Sequence, residues 1–321
     1  MFRFVLILCV FFIFLSDPNL LTANWDNFLR GSFSLFADFF IIFALRKNRS
    51  AMIVFPNAKI NVGLNITGVR KNGYHDIESV FYPIPLKDVL EVVVAEDGQT
   101  EMQVGGLPLD GKVSDNSVMK AYNLLKERFD LPPVKIYLEK VVPSGAGLGG
   151  GSSDASFAIK LFNDMFRLGM DVPQMESVAA EIGADCPFFI QNKPAYVTGI
   201  GDELQPIEFS LEGVSFLLVK PDDFVSTKEA YSNVTPKKTV LPLSEMVMKP
   251  ISEWKYNIVN DFESSVFASH PTVKMIKEQM YEQEALYASM SGSGSSVFGF
   301  FKREVDAKAL FPDMFSFQCV L

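Results

Sequence analysis

The residues in this sequence best suited to chemistry lie between Pro143 and Asp154, P-S-G-A-G-L-G-G-G-S-S-D, five of the twelve being glycine. Glycine lets a backbone approach phosphate oxygens with no Cβ in the way, and the unpaired N–H groups at a helix start favour an anion. Pro143, Ser144, Gly145, Ala146, Gly147, Leu148, Gly149, Gly150, Gly151, Ser152 and Ser153 therefore read as a phosphate cradle. Lys59 and Asn61 are candidates for a site wall, because both fall on one face of an alternating stretch. An exposed lysine on a solvated strand is the competing reading. Asp185 follows a helix end and precedes Pro187-Phe188-Phe189, where apolar neighbours tune a carboxylate's basicity; an ordinary turn aspartate fits equally well. His75, one of two histidines, sits in the polar turn Gly73-Tyr74-His75.

Elements must hold these groups in place. Val134, Ile136 and Leu138 alternate with Lys135, Tyr137 and Glu139, the period of a half-buried strand. Ala155, Ala158, Ile159, Phe162, Met165 and Phe166 recur at helical spacing up to Gly169, a candidate C-cap. The glycines thus join a strand to a helix, which a mere linker need not do. Gly145, Gly147 and Gly150 also satisfy G-x-G-x-x-G, but that fingerprint needs a strand after the helix, and Met175, Val178, Ala179 and Ile182 continue in helical period instead. A Walker loop fails because no Gly-Lys-Ser/Thr ends the run.

The other elements follow from the same periodicities. Ala58, Ile60, Val62, Leu64 and Ile66 predict one apolar strand face, opposite Lys59, Asn61, Gly63 and Asn65. A second strand spans 89–95, and Asp115-Asn116-Ser117 caps a helix through Phe129. After Pro187 the apolar run predicts a strand. Beyond Pro206 come a strand at 214–220, a short helix at 227–232, a loop at 235–243, and helices near 251–259 and 272–284. Ser291-Gly292-Ser293-Gly294 then links strands at 286–290 and 297–301, a second glycine loop that suggests two domains meeting over one ligand.

Length and composition narrow the classes. A chain of 321 residues with 48% hydrophobic content has material for two cores. A net charge of −9 argues against nucleic acid as the main partner. The three cysteines are far apart and form neither a metal spacing nor a disulfide framework. Phe4 to Leu15 is an unbroken apolar run behind Arg3, shorter than the ~20 residues of a membrane span. An export signal, a membrane anchor, or upstream sequence joined to a protein that begins at Met52 all account for it, and the third is the expectation here.

Together, Pro56-Asn57-Ala58-Lys59-Ile60-Asn61, Gly73-Tyr74-His75, the loop 143–153, Gly183-Ala184-Asp185-Cys186-Pro187 and Ser291-Gly292-Ser293-Gly294 resemble, in order, the motifs of the GHMP kinase superfamily. The similarity runs from residue 53 to about 320. It implies an α+β, two-domain fold: residues 52–206 like domain 2 of ribosomal protein S5, and 207–321 ferredoxin-like, with 1–51 an extension outside the enzyme. It further implies ATP-dependent phosphorylation of an alcohol on a cytidine-diphosphate-bearing small molecule in the non-mevalonate isoprenoid route. By the same resemblance Asp185 takes the hydroxyl proton and Lys59 stabilises the alkoxide. Ser152, Ser153 and the loop amides hold the phosphates, and Asn116 lies near adenine. Asn61, Tyr74 and His75 contact the acceptor. Mg²⁺ is expected with ATP, its ligands open, since Asp154 is merely the nearest carboxylate. The implied setting is cytoplasmic, without nucleic acid or a stable membrane partner, and the oligomeric state is left open. Another kinase of the superfamily and a non-catalytic RNA-binding module are the rival readings; the acidic balance and the presence of both Lys59 and Asp185 count against the second.

Overall fold

The computed structural model describes residues 51–109, 111–232, 234–237 and 241–321. The extension thus lies outside the described residues except for Ala51, as do positions 238–240 of the expected 235–243 loop. Among the described residues, twelve strands form three four-stranded sheets. The first has the order β1 (Ala51–Val54), β4 (Val89–Val94), β6 (Val134–Lys140), β5 (Glu101–Gly106). The second has the order β2 (Asn57–Val69), β3 (His75–Lys87), β7 (Ala195–Thr198), β8 (Glu203–Pro206). The third runs β10 (Tyr287–Met290), β11 (Val297–Phe301), β9 (Ser215–Lys220), β12 (Phe315–Val320). Counted along the chain, this last order is 2-3-1-4 with every pair antiparallel and helices between its first and second and its third and fourth strands, the split βαβ arrangement of ferredoxin-like domains.

Helices α1 (Ser117–Phe129), α2 (Gly150–Phe166) and α3 (Val172–Ile182) cover the first sheet, burying Tyr122, Leu125, Ile159 and Phe162 against Leu90, Ile136 and Leu138. Their ends follow from side-chain chemistry. Asn116 Oδ1 accepts from Val118 N at 2.9 Å, as the sequence predicts for an N-cap. Asp171 and Gln174 form a reciprocal capping box at the start of α3. The end of α2 differs from expectation: Arg167, not Gly169, takes the left-handed C-cap conformation at φ 53°.

Two expected elements change type. The apolar run after Asp185 is not a strand but a short helix, α4 (Cys186–Gln191). Pro187 suits a first helical turn, and a run this short carries no period to tell helix from strand. The expected helix near 251–259 is only a 3₁₀ turn over Ile251–Glu253. There Trp254 is fully buried as an anchor and donates from Nε1 to Lys249 O at 2.9 Å. The short helices α5 (Thr227–Tyr231), α6 (Leu243–Met246) and α7 (Glu263–Ser269) precede α8 (Pro271–Glu282), and α9 (Ala307–Leu310) follows β11.

The register of β2 also departs from simple alternation. Asn61 pairs with Phe81 but Leu64 with Ser79, so one extra residue enters at Val62-Gly63. Ala58, Ile60 and Val62 join the core shared with Phe216, Trp254 and Phe298 of the C-terminal half, whereas Leu64 and Ile66 pack with Leu217, Val266 and Met290. The five residues therefore do not share one face. Gly63 carries this bulge at φ +76°, and Ser79 Oγ donates to its carbonyl at 2.7 Å. A Cβ there would stand 2.7 Å from Ile258 Cγ2. Gly63→Ala combines that clash with a left-handed conformation costing about 1–2 kcal/mol; thermal melts should show a clear fall in Tm, and an unchanged Tm would mean the bulge relaxes freely.

Candidate active site

The glycine loop is gripped from two sides. Lys59 N donates to Leu148 O at 2.9 Å, fastening the loop to β2. From the other half Ser291 Oγ donates to Gly147 O at 2.8 Å, and Asn61 N donates to Ser291 Oγ at 3.3 Å. Gly147 has φ +74°, and a Cβ on it would fall 2.0 Å from Ser291 O. Only glycine lets these backbones meet. Gly149, at φ +70°, precedes α2 and supplies no side-chain cap, which leaves the first amides of that helix to a ligand.

Helix α2 also orients Asp185. Ser156 Oγ donates to Cys186 O at 2.6 Å, and Lys160 Nζ donates to Phe189 O at 2.8 Å, so two turns of α2 hold both ends of α4. Asp185 occupies the N-cap position of α4 yet makes no capping hydrogen bond, and its side chain is 36% exposed. The carboxylate therefore faces the cavity. Lys59 Nζ lies 3.6 Å from Asp185 Oδ2, donates to Asn61 Oδ1 at 2.5 Å and stands 4.4 Å from the centre of the Phe81 ring. Asn61 Nδ2 in turn donates to Ser79 Oγ at 2.9 Å. Lys59 is not on a solvated face; it is buried, with 3% of the residue exposed. Burial lowers its pKa below the ordinary 10.5, with Asp185 pulling the other way.

These groups open on one cavity of about 940 Å³. Lys59, Asn61, Asn116, residues 143–152 and Asp185 line it; Ser153, Tyr74 and His75 do not. His75 instead stacks on Tyr231 at 4.5 Å between ring centroids, and Tyr231 does line the cavity. Tyr74 is exposed. Tyr231 itself gives no signal in the sequence, being one aromatic in a short amphipathic turn.

The buried trio beneath the loop is equally hidden there, because its members are far apart in the chain. Lys140 Nζ pairs with Asp88 and, at 2.7 Å, with Asp154. Asp88 Oδ1 accepts from Val141 N at 2.6 Å and Val142 N at 2.8 Å, fixing the strand end from which the loop springs. Desolvation, with Asp88 adding to it and Lys140 opposing, pushes the Asp154 carboxyl up to about 8. Two oxygens here, Ser153 Oγ and Asp154 Oδ1, are buried without a hydrogen-bond partner. Among the described residues no cluster of three or more His, Cys, Asp or Glu side chains is arranged to hold a metal, and no helix is long and apolar enough to cross a membrane.

The glycine loop at the start of α2 and the Lys59–Asp185 pair share one cavity, lined also by Phe224, Tyr231 and Gly292 of the C-terminal half, an arrangement suited to phosphoryl transfer to a small molecule. Comparison with known proteins agrees. Residues 116–193 match the family of GHMP kinase N-terminal domains and 247–318 the GHMP kinase C-terminal family. The chain is 51% identical over 269 residues to a 4-diphosphocytidyl-2-C-methyl-D-erythritol kinase of Parabacteroides distasonis, covering 83% of this chain and 98% of that one. It is 50% identical over 273 residues to the like-named protein of Bacteroides fragilis, covering 84% and 100%. A crystal structure of 4-(cytidine 5'-diphospho)-2C-methyl-D-erythritol kinase superposes with a TM-score of 0.72 at 28% identity, covering 83% of this chain and 98% of that one. Homoserine kinase from Cytophaga hutchinsonii shares the fold at 17% identity, TM-score 0.63, with 84% and 94% covered. The chain belongs to the GHMP kinases, in the family of 4-diphosphocytidyl-2-C-methyl-D-erythritol kinases.

The raised Asp154 pKa has a consequence for stability. The folded state keeps this proton between the ordinary 3.8 and about 8, while the unfolded chain has released it. Stability conferred by the group is thus present at low pH and lost as pH rises through that window. In nucleotide-free protein, Asp154→Asn should remove part of the fall in Tm between pH 5 and 8, and the gap between variant and parent should widen with pH. Parallel Tm profiles would show that Asp154 is ionised throughout.

Proposed function

We propose that the protein transfers the γ-phosphoryl group of ATP to the 2-hydroxyl of 4-diphosphocytidyl-2-C-methyl-D-erythritol, giving the 2-phosphate and ADP, a step of the non-mevalonate isoprenoid route set in the cytoplasm, where ATP is supplied. The observation that carries this reading is the Lys59–Asp185 pair at 3.6 Å, in the same cavity as the glycine loop. Phosphoryl transfer asks a protein mainly for positioning and charge neutralisation.

The roles divide as follows. Amides of 145–151, with Ser144 and Ser152 beside them, hold the nucleotide phosphates, and Asn116 lies where the loop side of the cavity meets α1. The acceptor carbon bears a methyl group, so its hydroxyl belongs to a weakly acidic tertiary alcohol, and a base must take the proton as the O–P bond forms. Asp185 takes that proton. Lys59, aimed by Asn61, balances the charge growing on the nucleophilic oxygen. A Mg²⁺ accompanying ATP binds mainly phosphate oxygens and one or two protein oxygens. Asp154, which lines the cavity with Oδ1 unpartnered, would hold the ion once it gave up the proton it keeps in the nucleotide-free state, and the ion would neutralise phosphate charge there. The cytosine is read where Tyr231, stacked on His75, lines the cavity, Tyr74 being the neighbour of His75 in the chain.

With saturating ATP, Asp185→Asn should lower kcat by ~10²-fold or more, the scale of a positioned base. Lys59→Ala should be comparably severe. The double variant should lose much less than the product of the two, since groups acting as a unit are non-additive. Near-normal turnover in Asp185→Asn would remove the base assignment, and strictly multiplicative losses would remove the coupling. A panel of homoserine, mevalonate and the cytidyl substrate decides between this kinase and another of the superfamily.

His75→Ala strips one ring from the platform. It should raise KM for the cytidyl substrate by ~3- to 10-fold, the range of one aromatic pair, and leave KM for ATP nearly unchanged. Equal shifts in both constants would place His75 outside acceptor recognition.

A further inference from the structure

The second histidine has no role in the chemistry above, yet its surroundings are specific. His270, at the start of α8, lies between two carboxylates. Its Nδ1 is 3.1 Å from Asp223 Oδ1 and its Nε2 is 3.0 Å from Glu229 Oε1. Ionised carboxylates only accept hydrogen bonds, so both contacts are satisfied only when both ring nitrogens carry protons. Geometry thus asks for an imidazolium.

Both carboxylates belong to one segment, 223–231, that forms a wall of the active-site cavity through Phe224, Val225, Ser226, Thr227 and Tyr231. At one end Phe224 lies on the phosphate loop, so close that a Cβ on Gly145 would sit 2.9 Å from its ring. At the other, Tyr231 stacks on His75 and meets Phe262 edge-on at 4.7 Å. Backbone anchors hold the segment at two points, Ser295 Oγ donating to Asp223 O at 2.6 Å and Ser265 Oγ to Ala230 O at 2.9 Å. His270 does something these do not: it ties residue 223 to residue 229 and sets the curve between Phe224 and Tyr231.

We propose that protonated His270 is a positioning residue for the acceptor site, stapling the 223–231 wall into the shape that receives the cytidyl substrate. The proposal takes its substrate from the function argued above; the staple itself stands on the geometry. When the ring is neutral, one nitrogen presents a lone pair to a carboxylate, and the staple opens on that side.

The charged groups acting on the ring are consistent with this. Desolvation lowers its pKa, but hydrogen bonds and charge from Glu229 and Asp223 outweigh it and hold the value above 6.5. Lys274, one turn along the same helix, is engaged with Glu278 at 3.5 Å. With a raised folded value, the staple is present below the ordinary 6.5 and is lost as pH climbs through the higher folded value.

Three measurements test this. Imidazole NMR resolves two histidines; His270 should carry both N–H protons at pH 6.5 and titrate above 6.5, and the same signal titrating at or below 6.5 overturns the proposal. At fixed pH 6.5, amide exchange over 223–231 should quicken in His270→Gln and return towards the parent in His270→Arg; exchange unchanged in both variants overturns it. KM for the cytidyl substrate should rise ~3- to 10-fold from pH 6.5 to 9 in the parent, the worth of one partly exposed charge-assisted hydrogen bond. It should be high and without the parent's slope in His270→Gln and low and without that slope in His270→Arg, with kcat in each variant equal to the parent's at the same pH. A KM profile in His270→Gln that keeps the parent's slope overturns the proposal. Glu229→Gln provides a second route if the histidine variants fold poorly, and it should move the inflection to lower pH; an unmoved inflection counts against the staple. Absence of turnover with the cytidyl substrate would sink the functional reading alone, because the NMR and exchange results need no substrate.

Discussion

The site depends on three backbones meeting where side chains would keep them apart. β2 donates to the glycine loop through Lys59 N, and the loop touches the second glycine turn at Gly147 and Ser291. The first contact is main chain to main chain, and the second adds one side chain, the Ser291 hydroxyl that donates to Gly147 O. Upon both rest the two functions of α2. The N-terminus of this helix opens on the cavity, while Ser156 and Lys160 hold the short helix that Asp185 begins. The glycine loop and the Asp185 carboxylate are thereby measured from one rigid rod rather than from two independent loops.

Lysine burial sharpens the arrangement. Lys59 gives up hydration, which lowers its affinity for a proton, and regains some of it from Asp185 and Asn61. A lysine in water would bring its charge anywhere along a flexible stem. Here Asn61 and the Phe81 ring leave the ammonium one position. Lys140 has a comparable role in the layer below, where Asp88 and Asp154 share it at the root of the loop.

Much of this is legible in the residues, for reasons that differ by element. The glycine loop can be read because its composition, its flanking strand and its flanking helix are contiguous. Lys59 and Asn61 can be placed together because alternation is local. Past Gly63 the same alternation fails, since a bulge costs one residue and leaves no mark except a glycine. The segment after Asp185 reads wrongly as strand because so short an apolar run, Cys186 to Ile190, fits either period. Tyr231, Lys140 with its two aspartates, and the His270 contacts are out of reach. Their partners lie tens to hundreds of residues away, and nothing in a single sequence pairs them.

The shared core has a bearing on how the protein is made. Ala58, Ile60 and Val62 leave the ribosome with the first half of the chain, but their packing partners Phe216, Trp254 and Phe298 arrive with the second. Until then that face of the long β2–β3 hairpin is bare oil in water, the kind of surface that recruits chaperones or sticks to a neighbouring nascent chain. The early half can build its helical side at once, over the core of Tyr122 and Phe162, and must wait with the other. Completion of translation, rather than any substrate, is what closes the back of this active site.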